Sequence, residues 1–170
     1  MACVPRGVCV VRWPMTIKTT GEFTSEQLRR QSQSLEFETF TVHDALELGT
    51  LVLTVAMSRE FPVAIEIWHT GRMVFKAALP GTSADNDDWL RRKRNVVERF
   101  EQSTIAVRVS FEEKGQEFTQ ATGLPLSDFA AHGGGWPITV KGVGMVGFFG
   151  ISGLPQVEDH NLIVECLAQS

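Results

Sequence analysis

The spacing of apolar positions changes several times along the chain, and each change marks an element. Thr24 to Ser34 carries helix-forming residues behind a Thr24/Ser25 cap, with only a weak apolar stripe. Phe37 and Phe40 predict a short extended piece. Thr41-Val42-His43-Asp44 is a capping-box pattern that opens a strongly apolar helix running to about Glu60. Phe61-Pro62 breaks the chain. Val63 to His69 then predicts a strand, Thr70-Gly71 a turn and Arg72 to Leu79 its hairpin partner. After the loop Pro80 to Ser83, a long helix starts near Asp85, whose side chain is placed to cap it. It continues, with a break near Ser103, to a stop at Gly115. Thr122 to Ala131 reads as loop or short helix. Trp136 to Val140 and Val143 to Ser152 predict a second hairpin, and Pro155 to Gln169 a closing helix. Two hairpins among helices predict an α/β (α+β) domain with an antiparallel sheet. In the last strand, alternation puts Met145, Gly147, Phe149 and Ile151 on one face, and Gly144, Val146, Phe148, Gly150 and Ser152 on the other.

Glycine is concentrated in the second hairpin. Of the chain's 15 glycines, eight fall between His132 and Gly153. Glycine weakens a strand, so this density calls for close approach of another backbone or a ligand. The loop His132-Gly133-Gly134-Gly135 can form an anion-binding nest of backbone N–H groups, although turn chemistry accounts for those glycines equally well.

Two helices carry polar residues on apolar stripes. In the long helix Trp89, Val96, Val97 and Phe100 share a face with Lys93 at its centre, while Arg91, Arg94 and Glu98 point away. A lysine there must snorkel, find a partner or face a ligand cavity. In the closing helix His160 sits within the stripe of Val157, Ile163, Val164 and Leu167, with Asp159 at its edge. A satisfied core histidine and a ligand both fit that position.

Length and composition limit the rest. The 170 residues suit one domain, 24–170, preceded by a flexible extension over 1–23 in which Met15 is an alternative start. A net charge of −4 argues against nucleic acid as a partner, and the run Arg91-Arg92-Lys93-Arg94 follows acids on the same helix. Cys3, Cys9 and Cys166 make neither a disulfide framework nor a zinc site, so reduced thiols in a cytoplasmic protein are expected. No run approaches the ~20 apolar residues of a membrane span. There is no P-loop, HExxH or GxSxG. The GxGxxG spelling at Gly142 to Gly147 lies in a predicted strand and is rejected as a dinucleotide site.

Lys93, Gly134-Gly135-Trp136-Pro137-Ile138, Gly147-Phe148-Phe149-Gly150-Ile151-Ser152-Gly153 and Asp159 together resemble the GlcG/HbpS-like superfamily. That group is often labelled a haem-degrading domain and includes the C-terminal domain of PduO-type proteins. Leu79 to Ser83, Trp89, Arg92 to Asn95, His132 to Gly134, Ser152 to Gln156 and Glu158-Asp159-His160 look typical of its cytoplasmic branch. The likeness covers roughly residues 24–169 and is specific for the family, not for one activity. It implies a profilin-like α/β/α sandwich with a five-stranded antiparallel sheet. It also implies homo-oligomers with ligand sites near subunit interfaces. Some members bind haem, and others are associated with cobalamin or glycolate pathways. The chain is expected to lack the signal peptide of the secreted haem-binding members, and no iron ligand carries over from them.

Three functions follow as expectations. The first is a small-ligand-binding protein, with haem or another tetrapyrrole as the ligand class. In it Lys93 pairs with a carboxylate of a small acidic ligand, the amides of Gly133, Gly134 and Gly135 assist, and His132 or His160 is the iron ligand. Trp136, Ser152 and Asp159 complete the expected site, with no metal site of the chain's own. The second is a non-catalytic interaction or chaperone-associated adaptor. The third is an enzyme acting on a small organic acid or haem through Lys93, Asp159 and His160, though no spacing compels catalysis.

Overall fold

A computed structural model describes residues 20–170. The expected extension over 1–23, the start at Met15, Cys3 and Cys9 lie outside these residues except for 20–23. There Thr20 to Glu22 make a turn and the Phe23 ring stands edge-on to His160 at 5.5 Å, so this end of the extension is packed.

The sheet contains β1 (Ala64–His69), β2 (Arg72–Ala78), β3 (Gly135–Val140) and β4 (Gly144–Ser152), in the order β2-β1-β4-β3 with every neighbour antiparallel. The two hairpins join through β1 and β4. Among the described residues the sheet has four strands where the family likeness implied five. The fifth position is held by Phe37 alone, which makes a single parallel bridge to Val140. Its N–H donates to the Thr139 carbonyl and its carbonyl accepts from the Lys141 N–H, each at 2.9 Å. Helix caps flank the bridge on both sides. Leu35 caps the preceding helix, Thr41 caps the next, and the Phe37 and Phe40 rings turn toward each other at 4.8 Å.

Helices cover both faces. On one, α2 (Val42–Ser58) and α6 (Gln156–Leu167) enclose Ile65, Ile67, Trp136, Ile138, Phe149 and Ile151 with Leu48, Val52 and Ile163. On the other, α3 (Ala84–Phe100) runs across β4 and β3, with Leu90 filling the space over Gly150 and Val97 the space over Gly135. Beside this sandwich, α1 (Ser25–Ser34) and α4 (Thr104–Glu112) meet α6 through Leu28, Ile105, Val109 and Val157.

Three local expectations change. The cap of α3 is Ser83, not Asp85: Ser83 Oγ accepts from the Asp85 N–H at 3.3 Å and Asn86 Oδ1 accepts from the Ser83 N–H at 2.9 Å. A short helix α5 (Phe118–Thr122), opened by Glu117, lies just before the segment read as loop or short helix. The alternation of β4 holds from Gly147 to Ser152 and breaks before it. Ile138 pairs with Gly147 but Thr139 with Met145, so Val146 is an extra residue whose carbonyl accepts from the Thr70 N–H.

Candidate functional site

The glycine loop lies where the two helical layers meet beyond the end of the sheet. A Cβ on Gly133 would stand 2.0 Å from the Gln156 carbonyl oxygen, and one on Gly135 2.7 Å from Thr104. Gly134 has φ +106, and its Cβ would fall 2.4 Å from the Ile151 carbonyl oxygen and 2.6 Å from Lys93 Nζ. Only glycine combines that backbone with that space. The loop is not an open anion nest, because the Gly133 N–H donates to Gln156 Oε1 at 3.2 Å and the Gly135 N–H to Thr104 Oγ1 at 3.0 Å.

Gly134 leaves room for an ion pair that joins the layers. Lys93 Nζ donates to the Ile151 carbonyl at 2.8 Å and to Asp159 Oδ2 at 3.0 Å. Both side chains are 3% exposed. The second Asp159 oxygen accepts from the Leu154 N–H at 3.0 Å, which fixes the turn into α6. Burial pushes the Asp159 carboxyl up, against the opposing pull of Lys93 and the turn amides. The carboxylate that sequence reasoning assigned to a ligand is therefore supplied from within the chain.

Beside this pair stands His132, half-buried, with its ring edge-to-face against Trp89 at 5.2 Å. Its Nδ1 is buried and unpartnered. Burial lowers its pKa to about 4, helped by Arg108, Lys93 and Arg92, so the ring is neutral at physiological pH. Trp89 is itself held: its Nε1–H donates to Asp85 Oδ2 at 3.1 Å, and the Arg92 guanidinium lies 4.0 Å from its ring centre.

Two clefts share His132 and no other lining residue. A polar cleft of about 270 Å³ is lined by Asp85, Asn86, Trp89, Lys93, His132, Gly133, Ser152, Gly153, Leu154, Gln156 and Asp159. A cleft of about 410 Å³ on the side of α4 and α5 has Phe118, Leu126 and Ala131 as apolar walls, with Arg108, Glu112 and Glu117 among its polar groups. The polar cleft brings together five of the residues expected from sequence: Lys93, His132, Gly133, Ser152 and Asp159.

The other four stand elsewhere. Gly134 and Gly135 pack behind the cleft against α3 and α4, and Trp136 is a core residue of the α2/α6 layer. His160, expected beneath the hairpin with Lys93, turns the opposite way. It is fully buried between Trp136 and Phe23, with Nε2 at 2.8 Å from Gln31 Oε1 on α1, and burial lowers its pKa to about 4.

Sequence reasoning missed Asp85, Asn86 and Trp89 as site residues. The signal was present, since Asp85, Trp89 and Lys93 follow one another at i, i+4, i+8 along one face of α3. It also missed Arg108 and Phe118, which nothing local distinguishes. The basic run of α3 is engaged in ion pairs: Arg91 and Arg92 with Asp88, and Arg94 with Glu98. Among the described residues, no group of three or more His, Cys, Asp or Glu is placed to hold a metal ion, and no helix is long and apolar enough to cross a membrane.

Comparison with known proteins gives this geometry a family. The family model described as "Haem degrading protein HbpS-like" matches residues 40–168. A UPF0303 protein of Streptomyces coelicolor is 49% identical over 144 residues, covering 85% of this chain and 91% of its own. A UPF0303 protein of Azotobacter vinelandii is 42% identical over 143 residues, covering 84% and 86%. Among solved structures, Ybr137w superposes with a TM-score of 0.77 at 29% identity, covering 87% of both chains. The fold is shared at 18% identity with a PduOC:heme complex, at a TM-score of 0.64 over 78% of this chain and 95% of that one. It is also shared with HbpS, at 0.58 over 76% and 88%. By the extent of the family match and these identities, the chain belongs to the HbpS-like haem-degrading-protein family.

Proposed function

We propose that the protein binds a small ligand of the haem or tetrapyrrole class in the larger cleft, where His132 would be the iron ligand. The observation that carries this reading is His132 itself, a neutral imidazole in the wall of a cleft whose volume lies in the range of about 300–1,000 Å³ usual for ligand sites. The lining suits such a group. Phe118, Leu126 and Ala131 offer apolar contact to a macrocycle, and Arg108, whose Nε is paired with Glu112 at 2.7 Å, adds a guanidinium to the polar side of the wall. Bound there, the iron would supply redox and ligand-exchange chemistry, and His132 would hold it. A fold relative solved as a PduOC:heme complex adds support. Lys93 has no part in this version of the site, because Asp159 already meets its charge. His160 has none either, because it is enclosed by aromatic rings.

The reading extends to a homo-oligomer. Its support is the outer edge of β2, which pairs with no strand among the described residues and leaves Met73 exposed.

Haem titration of the purified chain tests the site. A saturable Soret band is expected, with affinity falling at least about tenfold in His132→Ala and unchanged in His160→Gln. No Soret change in the wild-type chain, or an unaltered one in His132→Ala, overturns the reading. A native mass spectrum of the same sample reports haem per subunit and subunits per particle.

A further inference from the structure

We propose that the polar cleft between the first turns of α3 and α6 is a second binding site, for a small neutral polyhydroxylated molecule. It shares only His132 with the haem reading and does not rest on a ligand being bound there.

The argument lies in its floor. Lys93 is buried, and its ammonium carries three N–H donors. Two go to the Ile151 carbonyl and Asp159, and the third has no protein acceptor among the described residues. Ser152, 4% exposed, offers its carbonyl to Asn86 Nδ2 at 3.3 Å, but its hydroxyl has no protein partner there either. Buried donors left unpaired cost about 1–3 kcal/mol each, so such groups face water or a ligand. Both line a cleft with room for several waters, at about 30 Å³ each.

The walls define the ligand's chemistry. At the rim, one Asp85 oxygen holds the Trp89 indole and the other accepts from no residue among those described. The Trp89 ring stands beside it. Charge disfavours an anion: Asp159 cancels Lys93, His132 is neutral, and the Asp85 carboxylate offsets the partial positive ends of α3 and α6. What remains is an oxygen acceptor for Lys93, a hydroxyl to exchange hydrogen bonds with Ser152, a hydroxyl donor for Asp85 and a C–H surface for Trp89. A sugar- or cyclitol-sized polyol supplies all four.

The test is an NMR titration of the ¹⁵N-labelled full chain with myo-inositol and D-ribose, reading the Trp89 indole N–H and the Gly153 amide. Citrate and choline serve as anionic and cationic comparators. A saturable shift with at least one polyol is expected, weakened about tenfold or more in Ser152→Ala and in Asp85→Asn. Lys93 is left intact because its loss unbalances the fold. If neither polyol gives a saturable shift, the cleft holds water only and the proposal fails. If citrate or choline binds more tightly than both, the assignment to a neutral ligand fails. Ser152 and Asp85 line only this cleft, so a failed haem titration leaves the result standing, and the reverse is equally true.

Discussion

Lys93 and His160 both interrupt an apolar helical stripe, and the chain accommodates them by opposite means. Lys93 meets a carboxylate 66 residues away, a backbone carbonyl, and the floor of a polar cleft. His160 meets one amide oxygen and two aromatic rings, and lines neither cleft. The contrast follows from ionisation. An imidazole becomes neutral at modest cost and then needs a single partner, so an enclosed site tolerates it. An ammonium held away from water needs an opposite charge as well as hydrogen bonds. The polar residue that lines a cleft is thus the one that had to be paired, and the one sealed away is the one that could lose its proton.

The strongest way to break this comparison is to remove one member of the pair. In Lys93→Met, Asp159 keeps its turn amides but loses its cation while buried, and a loss of about 3–5 kcal/mol is expected in urea unfolding. The double variant Lys93→Met with Asp159→Leu removes both charges and should recover part of that loss. It should not recover all of it, because the Leu154 N–H loses its acceptor. A single-variant loss below about 1 kcal/mol would mean that the pair behaves as an exposed one, and the contrast with His160 would collapse.

The second test is acid. His160 titrates near 4 in the fold and near 6.5 when unfolded. Between those values the unfolded chain binds the proton and the native chain does not. Stability is therefore fully present above pH 6.5 and is lost as pH falls toward 4, by about 3 kcal/mol. Urea midpoints across that window should show the loss, with His160→Gln removing most of it. His132, also shifted to about 4, adds a slope of the same sign, so the His132→Ala chain is the cleaner background for the measurement. A midpoint unchanged between pH 6.5 and 4 in that background would show that His160 is not enclosed.

The difference between the two residues also marks where the sequence was legible. The Thr70-Gly71 turn located the first hairpin, the strand patterns of 136–140 and 143–152 the second, and the Thr41/Asp44 box the start of α2. These signals are local. The single-residue bridge at Phe37 was not legible as the end of the sheet, because it depends on helix caps on both sides. Lys93 and Asp159 were each visible as misfits, yet their pairing rests on Gly134 letting α3 and α6 converge. His160 was visible too, but its direction was not. Whether it faces the glycine hairpin or α1 depends on where a weakly amphipathic helix docks, and that is set by Leu28 meeting Ile105, Val109 and Val157.

Gln31 permits the smallest and most discriminating change, because it can turn one kind of solution into the other. Its Oε1 accepts from His160 Nε2–H at 2.8 Å, leaving Nδ1 a bare buried acceptor. Gln31→Leu strands that donor and should cost about 1 kcal/mol at neutral pH, without altering the acid slope. Gln31→Glu keeps the acceptor and adds a charge, which converts the His160 contact into an ion pair of the Lys93 type. The new carboxylate favours the imidazolium and raises the His160 pKa toward its unfolded value. The native chain then takes up its proton at nearly the same pH as the unfolded one, and the acid loss should shrink to about 1 kcal/mol. Histidine ring shifts followed by NMR check the pKa directly, and urea midpoints check the stability. If His160 still titrates near 4 in Gln31→Glu, enclosure by Phe23 and Trp136 outweighs any single partner, and one carboxylate does not convert the His160 contact into a pair of the Lys93 type.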